Sequence, residues 1–109
     1  MVDMDDVFKA LADPNRRKIL DIVRDQPGIN VLALSEHFKF SRYATMKHLR
    51  VLEQAKLIVS KKVWKDKLLY INAVPIQMIY DRWISRYAGK WASSLTKLKD
   101  TIEGEGKKS

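Results

Sequence analysis

Residues 30 to 57 read Asn30-Val-Leu-Ala-Leu-Ser-Glu-His-Phe-Lys-Phe-Ser-Arg-Tyr-Ala-Thr-Met-Lys-His-Leu-Arg-Val-Leu-Glu-Gln-Ala-Lys-Leu57. Asn30 is placed to cap a short helix from Val31 to Phe38, and Ser41 a second helix from Arg42 to about Gln54. That leaves only Lys39 and Phe40 as the bend, the layout of a helix-turn-helix. On the second helix Thr45, Leu49 and Leu52 recur at spacings of three and four, a core-facing stripe with His48 at its margin. Tyr43, Met46, Lys47 and Arg50 share another face, with Arg42 at its leading edge. A basic helix face is by itself most often just solvated; the distribution of charge argues for more.

The 109 residues carry a formal net charge of +8. Residues 39–67 hold nine of the cations (Lys39, Arg42, Lys47, Arg50, Lys56, Lys61, Lys62, Lys65 and Lys67) against Glu53 and Asp66. Residues 1–38 are net negative. An uncommitted surface would mix the signs, so this clustering marks a polyanion site. A membrane surface would also attract it, but no amphipathic helix pairs these cations with large exposed apolar groups. With no cysteine, disulfides, thiolate metal sites and cysteine nucleophiles are excluded. No signal peptide or bilayer-length apolar run is present, so a cytoplasmic location is expected.

Before the central stretch, Asp3 to Ala12 predicts a helix with Val7, Phe8, Ala10 and Leu11 on its apolar side. Asp13-Pro14 then starts another, capped by Asp13 and burying Ile19, Leu20, Ile22 and Val23 before Pro27-Gly28. Arg16, Arg17 and Lys18 in its first turns oppose the helix dipole. Either they contact phosphate or they pair with Asp13 or Asp21. After the central stretch, Leu57–Val63 and Leu68–Ala73 predict two strands, with Trp64-Lys65-Asp66-Lys67 as the hairpin tip. A hairpin directly after such a helix is a wing. Its Lys61, Lys62, Lys65 and Lys67 would reach the sugar–phosphate backbone or the neighbouring minor groove, and Ser41 and Arg50 the backbone. Trp64 either covers the inner face of the hairpin or lies against that backbone.

From Pro75 to about Glu103 an apolar stripe runs through Ile76, Ile79, Tyr80, Trp83, Tyr87, Trp91, Leu95, Leu98 and Ile102. A helix on the order of 40 Å long exceeds what so small a core can cover. An aromatic stripe of this kind suits a subunit interface, unless Gly89 breaks the helix and folds it back. The expected fold is mainly α with a small β-hairpin, a winged helix-turn-helix in the order α-α-α-α-β-β-α. It would span residues 1–103, followed by a disordered tail at 104–109.

Two motifs carry a family resemblance over about residues 5–75. Phe8-Lys-Ala-Leu-Ala-Asp-Pro-Asn-Arg-Arg-Lys-Ile-Leu20 resembles the opening signature of the ArsR family of winged-helix repressors. Lys47-His-Leu-Arg-Val-Leu-Glu-Gln-Ala-Lys-Leu57 resembles the end of that family's recognition helix. Ile79-Tyr-Asp-Arg-Trp-Ile-Ser-Arg-Tyr87 looks like the terminal helix of a metal-independent branch. The resemblance implies a homodimer, joined through the first and last helices (Val7 and Leu11 with Ile79, Tyr80, Trp83, Tyr87, Trp91 and Leu95). It implies repression at an inverted repeat of double-stranded DNA, with Arg42, Tyr43, Met46 and Lys47 meeting bases and His48 leaning on the core. The inducing signal, small molecule or protein, is left open.

The departures narrow this. Positions where metal-sensing members carry cysteines are Asn30 and Leu32, and no histidine follows His48, so neither metal nor other cofactor is expected. Lys39 stands where many members have glycine; in a left-handed conformation a lysine there would cost about 1 kcal/mol. Catalysis lacks a motif: Ser41, His48 and Asp66 make a triad only on paper, and Ser41 is better used as a cap. The remaining rivals are a nonspecific architectural DNA binder and a protein-interaction module on the same fold.

Overall fold

The computed structural model describes residues 2–85 and 96–101. Its elements are α1 (Met4–Leu11), α2 (Pro14–Asp25), β1 (Ile29–Asn30), α3 (Val31–Ser35), α4 (Arg42–Gln54), β2 (Ile58–Val63), β3 (Asp66–Ile71) and α5 (Val74–Ile79), which runs directly into a π-helical turn, Tyr80–Ile84. The chain divides into two compact units between Ile76 and Gln77. Residues 96–101 are helical. The expected interface residues Tyr87, Trp91 and Leu95, the break at Gly89 and the tail 104–109 fall outside the described residues.

The helices begin where the polar side chains allow. Asp3 accepts from the Asp5 amide at 2.9 Å, and Asp13 from Asn15 and Arg16 at 2.8 and 3.2 Å. Each satisfies an amide that has no partner inside the helix. Desolvation pushes the Asp13 carboxyl up, but those two amides, with the charges of Arg16 and His48, outweigh it and hold the carboxyl below its ordinary range. Arg16 makes the ion pair with Asp13 that was one of its expected roles, Arg17 makes neither expected ion pair, and both are used chiefly elsewhere. Arg16 donates to the Ala10 and Lys9 carbonyls at 2.9 and 2.8 Å, and Arg17 to Leu11 at 2.8 Å. They close the C-terminus of α1, where carbonyls lack amide partners and cations are favoured. Only Arg16 comes near Asp13, at 3.9 Å.

The core comes from one face of each element: Val7 and Ala10, Ile19 and Val23, Leu34, Leu49 and Leu52, then Leu57, Ile58 and Leu69. Thr45 is fully buried with them, as its stripe predicts. Phe8 and Ile22 lie less deep than expected, Phe8 being exposed and Ile22 half-buried. Val7 was expected at a subunit interface, and this is corrected: it has no exposed surface, because its face of α1 packs on α2 and α4.

Three strands form the sheet, in the order β1-β3-β2 and antiparallel throughout. β1 was not anticipated; its two residues pair with Leu69 and Leu68. Gly28, at φ +87°, leads into it, donates to the Leu69 carbonyl at 2.8 Å and lies under the Tyr70 ring. A Cβ there would meet the Tyr70 hydroxyl at 3.2 Å. The pairing Val63↔Asp66 leaves only Trp64 and Lys65 as the tip, two residues shorter than expected.

Backbone strain falls elsewhere than at Lys39. The described non-glycine residues at positive φ are Lys56 (+64°) and Trp64 (+58°). Lys56 ends α4 in a Schellman motif: its amide donates to Glu53, and that of Leu57 donates to Leu52, both at 3.0 Å. A lysine in this conformation costs roughly 1–2 kcal/mol. Asn72 offsets part of that, donating through its side chain to the Lys56 carbonyl at 2.8 Å while its own amide bonds Leu57 at 2.9 Å. Its Oδ1 then accepts from the Val74 amide, so α5 starts one residue before Pro75.

Candidate nucleic-acid interface

The two helices of the motif are capped as their sequence requires. Asn30 accepts from the Ala33 amide at 2.8 Å and Ser41 from the Ala44 amide at 3.1 Å. The segment between them is longer than two residues, since α3 stops at Ser35 and the chain turns through residues 36–40. Aromatic stacking holds it. Phe38 and Phe40 lie 4.7 Å apart and nearly parallel, and Phe40 tilts onto His48 at 5.4 Å. Lys18 covers Phe38 at 5.0 Å, and an Arg16 nitrogen lies 3.5 Å from Nδ1 of His48. The ladder ties the turn to α2 and α4. Its signal in the sequence is the aromatic pair at 38 and 40 facing His48.

With that orientation set, α4 buries Thr45, Leu49 and Leu52 and turns Arg42, Tyr43, Met46, Lys47 and Arg50 outward. Tyr43 is 68% exposed, and Lys47 rests over its ring at 4.9 Å. No acid occupies the first turn of α4. The Ser41 hydroxyl oxygen is taken by the cap, but its O–H remains able to donate to an anion at the positive end of the helix.

The wing completes the face. A cleft of about 590 Å³ separates α4 from the hairpin, with Arg42 and Met46 on one wall and Lys62, Lys65 and Lys67 on the other. The register divides the wing's cations. Lys62 pairs with Lys67 on the sheet face shared with buried Leu69, while Lys61 shares the opposite face with Val59 and Val63. Lys67, expected at a DNA backbone, is instead half-buried and ion-paired with Glu53 of α4. Among the described residues Arg42, Lys47, Arg50, Lys61, Lys62 and Lys65 make no ion pair with a carboxylate. Trp64 does not cover the hairpin's inner face, as one reading had it; it is 91% exposed at the tip.

These elements are those of a winged helix-turn-helix, and a family model described as a helix-turn-helix domain matches residues 11–61. The transcriptional repressor SdpR of Bacillus subtilis (strain 168) is 33% identical over 96 residues, covering 84% of this chain and all of the relative. The chain belongs to the ArsR family of winged helix-turn-helix transcriptional regulators. The HTH-type transcriptional regulator YuzN of the same organism is 35% identical over 86 residues, 73% of this chain and 94% of that one. A solved ArsR family transcriptional regulator superposes with a TM-score of 0.69 at 27% identity, over 85% of this chain and 98% of the other. An ArsR-like regulator from Rhodococcus sp. RHA1 gives 0.65 at 26% identity, over 90% and 91%.

Membership in this family of DNA-binding regulators answers the question of catalysis in the negative. No helix among the described residues is long and apolar enough to cross a membrane. No group of histidine or carboxylate side chains that could hold a metal occurs among them.

Proposed function

We infer that this ArsR family protein is a cytoplasmic repressor that binds an inverted-repeat operator as a homodimer and senses no metal. The observation that carries the DNA reading is the set of six unpaired cations on α4 and the wing, flanking the side chains that α4 turns outward. α4 would lie in the major groove with Arg42, Tyr43, Met46 and Lys47 at base edges. Arg42 would fork onto a guanine, and Met46 and Tyr43 would meet thymine methyl groups. Ser41, Arg50, Lys61, Lys62 and Lys65 would hold phosphates. Lys67 leaves that set because Glu53 already neutralises it.

Metal independence rests on the two residues at the family's cysteine positions. Asn30 spends its side-chain oxygen capping α3, and Leu32 offers only hydrocarbon. Dimerisation rests on apolar surface that the described chain leaves open. Tyr80, Trp83 and Ile84 are each more than 40% exposed. In the first unit Leu11, Leu20, Ile71 and Ile76 line a separate groove of about 370 Å³. Trp83→Asp is expected to convert dimers to monomers in light scattering; an unchanged mass would remove Trp83 from the interface.

Arg42→Ala tests base reading. Binding is measured by fluorescence anisotropy on an operator selected from a random duplex library and on a scrambled duplex. Each lost guanine fork removes about 1–3 kcal/mol of discrimination, and a dimer loses two. The variant should bind the operator roughly 30-fold or more weaker while scrambled DNA is little changed. Equal weakening on both duplexes would instead make this a nonspecific architectural binder. Zinc or cadmium added to the wild-type titration should not move either curve.

A further inference from the structure

The wing carries its largest side chain where neither packing nor turn chemistry asks for one. Trp64 is the first of the two tip residues between Val63 and Asp66. Its backbone sits at φ +58°, a conformation that glycine or asparagine adopts most readily. Its side chain is 91% exposed, more than any other large apolar group described. Strain and exposure both disfavour tryptophan here, and among the described residues no hydrogen bond or ring contact of Trp64 offsets either. Lys61, Lys62 and Lys65, all exposed and without carboxylate partners among the described residues, lie within three positions of Trp64 on the same hairpin. The tip therefore presents an aromatic ring inside a cationic field, a combination complementary to a polyanion with apolar walls.

Reach and chemistry narrow the partner to one part of a duplex. Six-residue strands span roughly 20 Å, and because β1 pairs only with Leu68 and Leu69 the tip projects past the three-stranded part of the sheet. About 17 Å separates a major groove from the neighbouring minor groove along half a helical turn. The minor groove is narrow, about 6 Å, with sugar walls that suit a ring entering edge-on. Indole nitrogen is a donor only. On the groove floor an A·T pair shows only acceptors, adenine N3 and thymine O2, whereas a G·C pair places a guanine amino donor in the way.

We propose that Trp64 enters the minor groove beside each half-site and reads A·T against G·C at flanking pairs that α4 does not touch. This rests on the DNA-binding reading above and adds a second specificity element to it.

The experiment uses the full chain and the selected operator, with its central half-sites held constant and the flanking pairs made A·T, G·C or inosine·C. Inosine lacks the 2-amino group and so gives the minor-groove face of an A·T pair while keeping the major-groove face of a G·C pair. Wild-type protein should bind the A·T and inosine·C flanks alike and the G·C flank about 25-fold or more weaker, at least about 5-fold for each half-site. Trp64→Ala should bind all three alike. Trp64→Gly should do the same while melting at a higher temperature, because glycine relieves the backbone; loss of flank preference with gained stability cannot come from misfolding. Equal wild-type affinity for all three duplexes would overturn the proposal, as would a flank preference that survives Trp64→Ala. In either case continued discrimination of operator from scrambled DNA would leave the α4 reading standing. Absence of any specific binding would overturn both.

Discussion

Raising salt from 50 to 200 mM is expected to lower DNA affinity by ~10³–10⁵, for a dimer that neutralises roughly 6 to 10 phosphates. Two copies of the six free cations, as in the proposed dimer, would supply that number with some to spare. Each phosphate contact releases condensed counterions, so the logarithm of affinity falls linearly with the logarithm of salt, and the slope counts the contacts. Single substitutions should then sort the wing. Lys62→Ala removes a cation facing the α4 cleft and should reduce the magnitude of the slope by about one per protomer. Lys67→Ala should leave it unchanged, because the Glu53 carboxylate already holds that charge. A nearly flat salt series would show that the cationic face does not meet a duplex. A Lys67→Ala slope as reduced as that of Lys62→Ala would show that the ion pair opens on binding.

Leu52→Ala should cost about 2.7–5 kcal/mol of folding stability, a large share of the ~5–15 kcal/mol that keeps a domain folded. Leu52 is fully buried on the inward face of α4, and its carbonyl accepts the amide of fully buried Leu57 in the motif that ends the helix. Truncation removes apolar surface and opens a cavity next to the point where α4 hands over to the wing. The neighbours there cannot collapse into it, because Asn72 ties Lys56 and Leu57 from the other side. Urea unfolding gives the number directly. Arg50→Ala, two residues away and exposed, should shift stability by no more than about 0.5 kcal/mol. A midpoint shift for Leu52→Ala no larger than that for Arg50→Ala would contradict the packing described.

Local interactions were legible in the sequence. Asp13, Asn30 and Ser41 cap the helices they were read to cap, because each partner amide lies two or three residues away. The stripe Thr45, Leu49, Leu52 is buried because a 3.6-residue period leaves it no other face to occupy. The hairpin after α4 follows from two β-rich runs close in sequence. From these come the fold class and the outward placement of Arg42, Tyr43, Met46 and Lys47.

Choices of partner across the chain were not legible. β1 has no strand signal of its own, since two residues become a strand only by pairing with β3 some forty positions later. Arg16 and Arg17 follow a capping aspartate, which suggests ion pairing; Arg16 keeps that pair, but both also donate to carbonyls at the end of α1, which no local signal announces. Lys67 belongs by composition to a cationic run, but the register of β3 brings it to Glu53. Val7 shares an apolar stripe with Leu11, and only helix packing places one inside the domain and leaves the other half-buried. Sequence alone thus determined the elements and the outward face of the recognition helix, because caps and periodicity act within a turn or two. The tertiary structure decided which cations remain free and where Trp64 points, because charge pairing and burial depend on which distant segments are brought together.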